Sequence, residues 1–360
     1  MLTIIRDPSE LQATMTAWNT LADHQRHPLL RYEWFKACAE AYSEPSQLHI
    51  MIQESAKGIN AIAPLVLVRR GVSKLEMLGS ASMDEPGGLL YKDTSALYEL
   101  IQNIINAGKP ILLNRFSSES PEVSIFRQGD VHGARSIIRG CAGTPFLPIT
   151  ASWDEYEGTI SARRRYDIRR ARKRAEQLGR VEFEISTPTT DRLDQNLKEL
   201  FLVEASGWKG RKKTAIMFDR RLKLFLETYS RHARDFGALK FCSMRINDRP
   251  AAVILAVEYY QKFWVLKIGY DEAFSSCSPG ILLIHHTLRY AHEHHLEAYE
   301  FLGADAEWLH MWTRQKHSYK SVRIYPRSVS GNVGLSLDIT SYIIRRIFNH
   351  LPFRAQSVLL

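Results

Sequence analysis

The stretch SSCSPGILLIHH, residues 275–286, holds residue types suited to gripping an anion. Ser278 precedes Pro279 and Gly280, and an apolar run of helical period starts at Ile281. Proline fits a first helical turn, where its missing N–H costs nothing, and serine is a good N-cap. Glycine beside them lets another group approach the backbone closely. Free N–H groups and the helix dipole then make such a terminus attractive to phosphate. Ser275, Ser276, Ser278, Pro279, Gly280 and Ile281 would form its wall. With no ligand in mind, the same residues are an ordinary helix start. Histidines 285, 286, 292, 294 and 295 raise a second chemistry, metal binding. Their HEHH run has no HExxH spacing, and adjacent helical residues point to different faces. No metal is expected, and these histidines read as an exposed polar helix face.

The elements around the motif must position it. A strand-forming run, KFWVLKIGYD (262–271), leads into it, preceded by ALKFCSMRI and PAAVILAVEY. The turns NDR and YQ join the three as antiparallel neighbours. A short strand, LEAYEFLG, a helix near 305–317 and a last strand, YKSVRIYP, are expected after it. Before the three strands come a basic helix at about 160–178, the strand RVEFEIS, and helices at about 191–206 and 217–234. The first 150 residues repeat this grammar with helices PSELQATMTAWNTLADH, LRYEWFKACAEAYS and TSALYELIQNIINAG among strands QLHIMIQE, INAIAPLVLVRR and KPILLNRF. At RGCAGTPFLPIT the pattern lapses into small residues and prolines, the expected crossing between halves. The fold class is therefore α/β with a mixed sheet, in units 1–150, 151–330 and a tail, 331–360.

Composition narrows the class. The 360 residues are 45% hydrophobic and 10% aromatic, enough for a real core and unlike a disordered chain. The opening MLTIIRDPSELQ has too short an apolar run for a signal peptide, and no run is long enough to span a bilayer. Cys38, Cys141, Cys242 and Cys277 have neither CxxC spacing nor a pairing pattern, and read as reduced cytosolic thiols. Of the net charge of +9, an excess of +7 lies between residues 160 and 180, nine cations against Asp167 and Glu176. Ile168, Ala171, Ala175 and Leu178 give that helix a narrow apolar stripe, so its arginines form a solvated face or meet an anionic partner. Nucleic acid is disfavoured, because Tyr166 is the only aromatic residue interleaved there. In the tail, Ile339, Ile343, Ile344, Ile347, Phe348 and Leu351 share one side, with Arg345, Arg346 and His350 elsewhere. Residues 338–354 thus suit either an anionic membrane surface or packing against the protein.

The order of elements and several stretches carry a family resemblance. FWVLKIGYDEAFSSCSPGILLIHHTLRYA followed by YEFLGADAEWLHMW resembles the CelD/BcsL-type (BioF2-like) branch of the GNAT acyltransferases. SARRRYDIRRARKRAEQLG and RPAAVILAVEY are similar to that branch as well, so the likeness covers roughly 160–325. AIAPLVLVRR and LEMLGSASMDEPGGLLY extend it more faintly into the first half. FemAB-type relatives are built of two such halves. The resemblance implies a GNAT fold in two halves, with the second catalytic and the first a degenerate, substrate-shaping copy. Residues 275–280 and the start of the next helix would hold the pyrophosphate of acetyl-CoA or a longer acyl-CoA. Strand 262–270 would splay from its neighbour to turn a backbone N–H toward the thioester carbonyl.

Asp305 and Glu307, after the family-like Gly303, would then be proton acceptors for the amine, or helix caps. Here the sequence departs from the family. Its Tyr-Lys is Trp308-Leu309 and its strand Asp is Glu300, leaving Tyr270 or Tyr319 as substitute acids. The family implies amino groups of polysaccharide precursors as acceptors, in cell-envelope synthesis; an amino-lipid is the rival, which the tail favours, with a cytoplasmic chain peripheral at the inner membrane surface. Two alternatives stand: a FemAB-like transferase using aminoacyl-tRNA, and a non-catalytic accessory protein of the same fold.

Overall fold

A computed structural model describes residues 1–44, 47–69, 71–129 and 131–350, with the side chains of 208, 209 and 345–350 left out. In the first half, β1 (Leu2–Ile5), α1 (Met15–Asp23) and α2 (Tyr32–Tyr42) lead to β2 (Leu48–Ser55), β3 (Gly58–Val68) and β4 (Lys74–Met77). Then come α3 (Ser80–Met83), β5 (Leu90–Tyr91), α4 (Thr94–Asn106), β6 (Ile111–Ser117), α5 (Pro121–Gln128) and β7 (Ala134–Pro148). The second half has α6 (Trp153–Thr159), α7 (Ala162–Leu178), β8 (Val181–Ser186), α8 (Thr190–Ala205), α9 (Trp208–Arg211) and α10 (Arg220–Asp235). It continues with β9 (Leu239–Ile246), β10 (Arg249–Tyr259), β11 (Lys262–Tyr270), α11 (Pro279–Glu293), β12 (Ala298–Glu300), β13 (Lys316–Pro326) and α12 (Val329–His350).

Among the described residues the strands form one sheet in the order β1-β2-β3-β4-β6-β13-β7-β12-β11-β10-β9-β8, with β5 on β3. Asn247-Asp248 and Tyr260-Gln261, all at positive φ, make the two-residue turns joining β9, β10 and β11, as their right-handed twist requires. Each half has three antiparallel strands and then a parallel step across a helix: β4 beside β6, and β11 beside β12. The next strand in space is exchanged. β13, late in the chain, pairs with β6 of the first half, while β7 pairs with β12 of the second. β7 and β13 also pair with each other, which locks the halves together.

RGCAGTPFLPIT, the expected crossing between halves, forms the end of β7, a 15-residue strand near the middle of the sheet. Pairing on both sides supplies the order that its small residues do not encode. The helix expected at 305–317 is a 3₁₀ turn at Glu307–Met311, because β13 takes the chain from Lys316 onward.

The sheet separates two cores. One, under α11, α7 and α6, holds Phe263, Val265, Leu283, Phe301 and Leu309. The other holds Trp264 and Leu302 together with Trp34, Phe225 and Tyr229, where α2 of the first half meets α10 of the second. On α7, Ile168, Ala171 and Ala175 are buried as expected, whereas Leu178 is exposed. The start of α12 is held down, with Asp338 accepting from Arg323 and from the Tyr325 hydroxyl. Leu337, Ile339, Tyr342, Ile343 and Ile344 are exposed. The Ile347, Phe348 and His350 side chains and Leu351 lie outside the described residues. No helix among the described residues is long and apolar enough to cross a membrane.

Candidate active site

The motif sits where β11 and β12 part. Their parallel register covers only Lys262–Trp264 against Ala298–Glu300, after which β12 ends and β11 runs on to Tyr270. A bulge helps to turn β11 away: Leu255 pairs with Lys267 and Ala256 with Val265, leaving Leu266 without an opposite number. The opening is a cleft of about 650 Å³, lined by Ile268, Gly269, Tyr270, Ser275, Ser278, Pro279, Gly280, Ile281 and Trp308, with Glu204 and Gly207 from across it. A smaller cavity of about 180 Å³ shares Ile268, Ile284 and Trp308 with it and reaches Val265, Leu302, Gly303, Ala304 and Ala306.

The start of α11 is open, for local reasons. Ser278 stands at the N-cap but in the left-handed region (φ 47°), and its side chain makes no capping bond. That conformation disfavours a residue with a Cβ, and it places the Ser278 carbonyl to accept from Ile281 N–H at 3.1 Å. Pro279 brings no N–H, so the first helical donor free of a helical partner belongs to Gly280. The matching helix of the first half, α4, is capped conventionally, with the Asp93 carboxylate accepting from Ala96 N–H. That carboxylate would repel an anion. The contrast fits phosphate binding to the second half alone. Gly269 has its own reason to be glycine: a Cβ there would lie 3.0 Å from the Glu204 backbone, where α8 crosses β11.

Of the expected anion site, Ser275, Ser278, Pro279, Gly280 and Ile281 line the cleft. Ser276 is turned outward, and its carbonyl accepts from Arg174 of α7 at 3.1 Å, tying the basic helix to the loop. Tyr270 lines the cleft beside Gly280, its ring 3.7–4.0 Å from where a Cβ would lie. Asp305 and Glu307 flank the small cavity without lining it. The hydrogen bond from His310 (2.8 Å) and the Lys316 ammonium (3.4 Å) hold the Asp305 carboxyl below its ordinary range, which makes it a weaker base. Glu307 is exposed. Tyr319 is buried, its hydroxyl paired with Thr144 and pushed up to about 12 by burial.

The histidines of α11 are not one exposed face. His292 is buried against Trp153 and Tyr156, His286 stacks on Phe183, and His285 meets Glu157 at 3.1 Å. Burial lowers the pKa of all three and favours neutral rings. Among the described residues, no group of three His, Cys, Asp or Glu is placed to hold a metal.

Several polar residues at the inner end have no counterpart among the sequence candidates. Glu300 is buried and pairs with His317 (2.9 Å), whose ring stacks on Phe146. Glu85, from the loop after β4, accepts from Gly303 N–H at 3.2 Å. Arg115, fully buried and at φ 54°, donates to the Gly303 carbonyl at 3.2 Å. The only sequence signal for Glu85 is the punctuated DEPGG run around it, and Arg115 has none.

Residues 162–310 match the family model described as an acetyltransferase (GNAT) domain. A conserved protein of unknown function from Bacteroides thetaiotaomicron has a similar structure, with TM-score 0.58 at 11% identity over 90% of this chain and 99% of that one. FemX is similar at TM-score 0.57 and 12% identity, over 91% of this chain and 97% of that one. No curated protein matches the sequence. The fold is thus of GNAT type in two GNAT-like halves, with the family match confined to the second.

Proposed function

Because residues 162–310 carry an acetyltransferase (GNAT) domain and make the chain a transferase, we propose that it moves an acyl group from CoA to an amine in the β11–β12 cleft. The observation that carries this reading is the uncapped start of α11 opening into a 650 Å³ cleft that narrows to a small apolar cavity. Pyrophosphate sits on the Gly280 N–H at the start of α11, and pantetheine lies along Ile268, Gly269 and Tyr270. The acyl group reaches toward Val265 and Leu302, a pocket of about 180 Å³ that suits a short chain such as acetyl. Past the bulge, β12 no longer pairs with β11, and a backbone N–H on that side of β11 meets the developing oxyanion. The acceptor is an amino sugar of a polysaccharide precursor or an amino-lipid.

Calorimetric titration of CoA and acetyl-CoA into the full chain tests the proposal. Saturable binding of both is expected. Indifference to both, with binding of a charged tRNA, would transfer the reading to aminoacyl transfer, with α7 as the tRNA contact. The exposed apolar side chains of α12 further suit attachment to an anionic membrane. The full chain should co-sediment with phosphatidylserine vesicles in a salt-sensitive way, and a chain ending at Thr340 should not. Equal binding by the two would exclude the tail.

A further inference from the structure

We propose that Glu85, carried in by the first half, takes the proton from the acceptor amine. This assignment rests on the acyl-CoA reading of the cleft and names a residue for it. The first support is position. Glu85 Oε2 lies 3.2 Å from the N of Gly303, a residue of the acyl cavity wall at the point where β11 and β12 have separated. The second is sidedness. Val265 and Leu309 belong to the core beneath α11, the face on which CoA binds. Leu302, Trp264, Leu78 and Leu89 belong to the core on the opposite face, and the loop bearing Glu85 runs between the last two. An amine that attacks the thioester from the side opposite CoA therefore arrives at Glu85.

The third support is the history of the loop. It follows β4 and precedes α4, as 271–278 follows β11 and precedes α11. In the first half Asp93 closes the helix start, and the loop crosses to the other half's cleft instead. Burial raises the Glu85 pKa against the opposing pull of the Gly303 N–H, Lys267 and Arg115, while Asp84 adds to the rise. Asp84, Arg115, Lys267 and Tyr319 are the ionisable groups that bear on it. A base with a raised pKa holds an amine proton better than Asp305, whose carboxyl is shifted the other way. Arg115 grips the same Gly303 through its carbonyl, and with it Leu302 and Gly303 stay in the left-handed region.

In the step itself, the ammonium of the acceptor gives one proton to the Glu85 carboxylate. The freed amine attacks the thioester carbon, and a C–N bond forms. Collapse breaks the C–S bond, and the CoA thiolate leaves with the electron pair. The attacking nitrogen sheds a second proton, which the thiolate takes up, and Glu85 returns its own to solvent. Amide, CoA thiol and one proton result.

Glu85→Gln separates a base from a clamp, because the glutamine oxygen can still accept the Gly303 N–H. With acetyl-CoA as donor and glucosamine as probe amine, thiol release by the variant should fall about 10²–10⁴-fold at unchanged CoA affinity. Wild-type activity should decline as acid protonates Glu85, above the usual carboxylate range, and the variant should lack that limb. A variant within about threefold of wild type, acid limb intact, would reduce Glu85 to a clamp and overturn the assignment. Should glucosamine not be accepted, carbodiimide labelling of the full chain at mildly acidic pH, where a carboxyl of raised pKa keeps protons longer than ordinary carboxylates do, decides. Glu85 should be modified in the free protein and protected by acetyl-CoA. No modification, or no protection while acetyl-CoA binds, rejects it. Failure of CoA binding itself would remove the premise first, and the assignment with it.

Discussion

Gly280→Val is expected to weaken CoA binding by about 100-fold while the melting temperature holds or rises. The two effects have separate causes. Gly280 is in the first turn of α11, outside the left-handed region, so its backbone does not need glycine. Glycine costs a helix roughly 0.8–1 kcal/mol relative to alanine, and valine costs less. A Cβ at 280 would meet only the Tyr270 ring and Cβ, at ordinary contact distances of 3.7–4.0 Å. Neither propensity nor packing therefore asks for glycine, and close approach by a ligand does. The γ carbons of valine would stand over the Gly280 N–H that the pyrophosphate must reach. A hydrogen bond to a charged group is worth roughly 1.5–3 kcal/mol, so losing it accounts for the expected factor. Gly280→Ala should lose less affinity and gain more stability. Unchanged CoA affinity in the valine variant would place the anion elsewhere.

Where the chain is locally consistent, the sequence was readable. β9, β10 and β11 alternate or run apolar between two-residue turns, and α11 announces itself with Ser-Pro-Gly. The open cleft could be anticipated because most of its wall comes from one stretch, Ile268 to Ile284. The inner end could not. Glu85 and Arg115 meet Gly303 across 218 and 188 residues, and nothing in a linear pattern marks contacts so remote. β7 failed for a related reason: its order comes from β13 and β12 on either side, not from its own glycines and prolines. Asp305 and Glu307 were reasonable candidates by proximity to Gly303. The ion pair to Lys316 and the exposed setting of Glu307 depend on where β13 begins, which the expected helix at 305–317 had hidden.

The strand exchange carries the other large prediction. A fragment of residues 151–330, the second half as it reads from sequence, should fail to fold. It keeps β13 but removes both neighbours of that strand, β6 and β7, and it strips β12 of its antiparallel partner. Two strands with unpaired edges and the uncovered Phe225 and Tyr229, which rest on Trp34 of α2, are an invitation to aggregate. Starting the fragment at Gly133 restores β7 but leaves β13 without β6 and α10 without α2, so it too should be insoluble by itself. Co-expression of residues 133–360 with residues 1–132 supplies every missing neighbour, α12 included, because that break falls just before β7 and cuts no strand or helix. The two pieces should then co-purify as one particle that binds CoA. A 151–330 fragment that is monomeric, helical by circular dichroism and able to bind CoA would show that the second half stands alone. The exchange would then be an ornament of the fold, and Glu85 would lose its reason to be in the site.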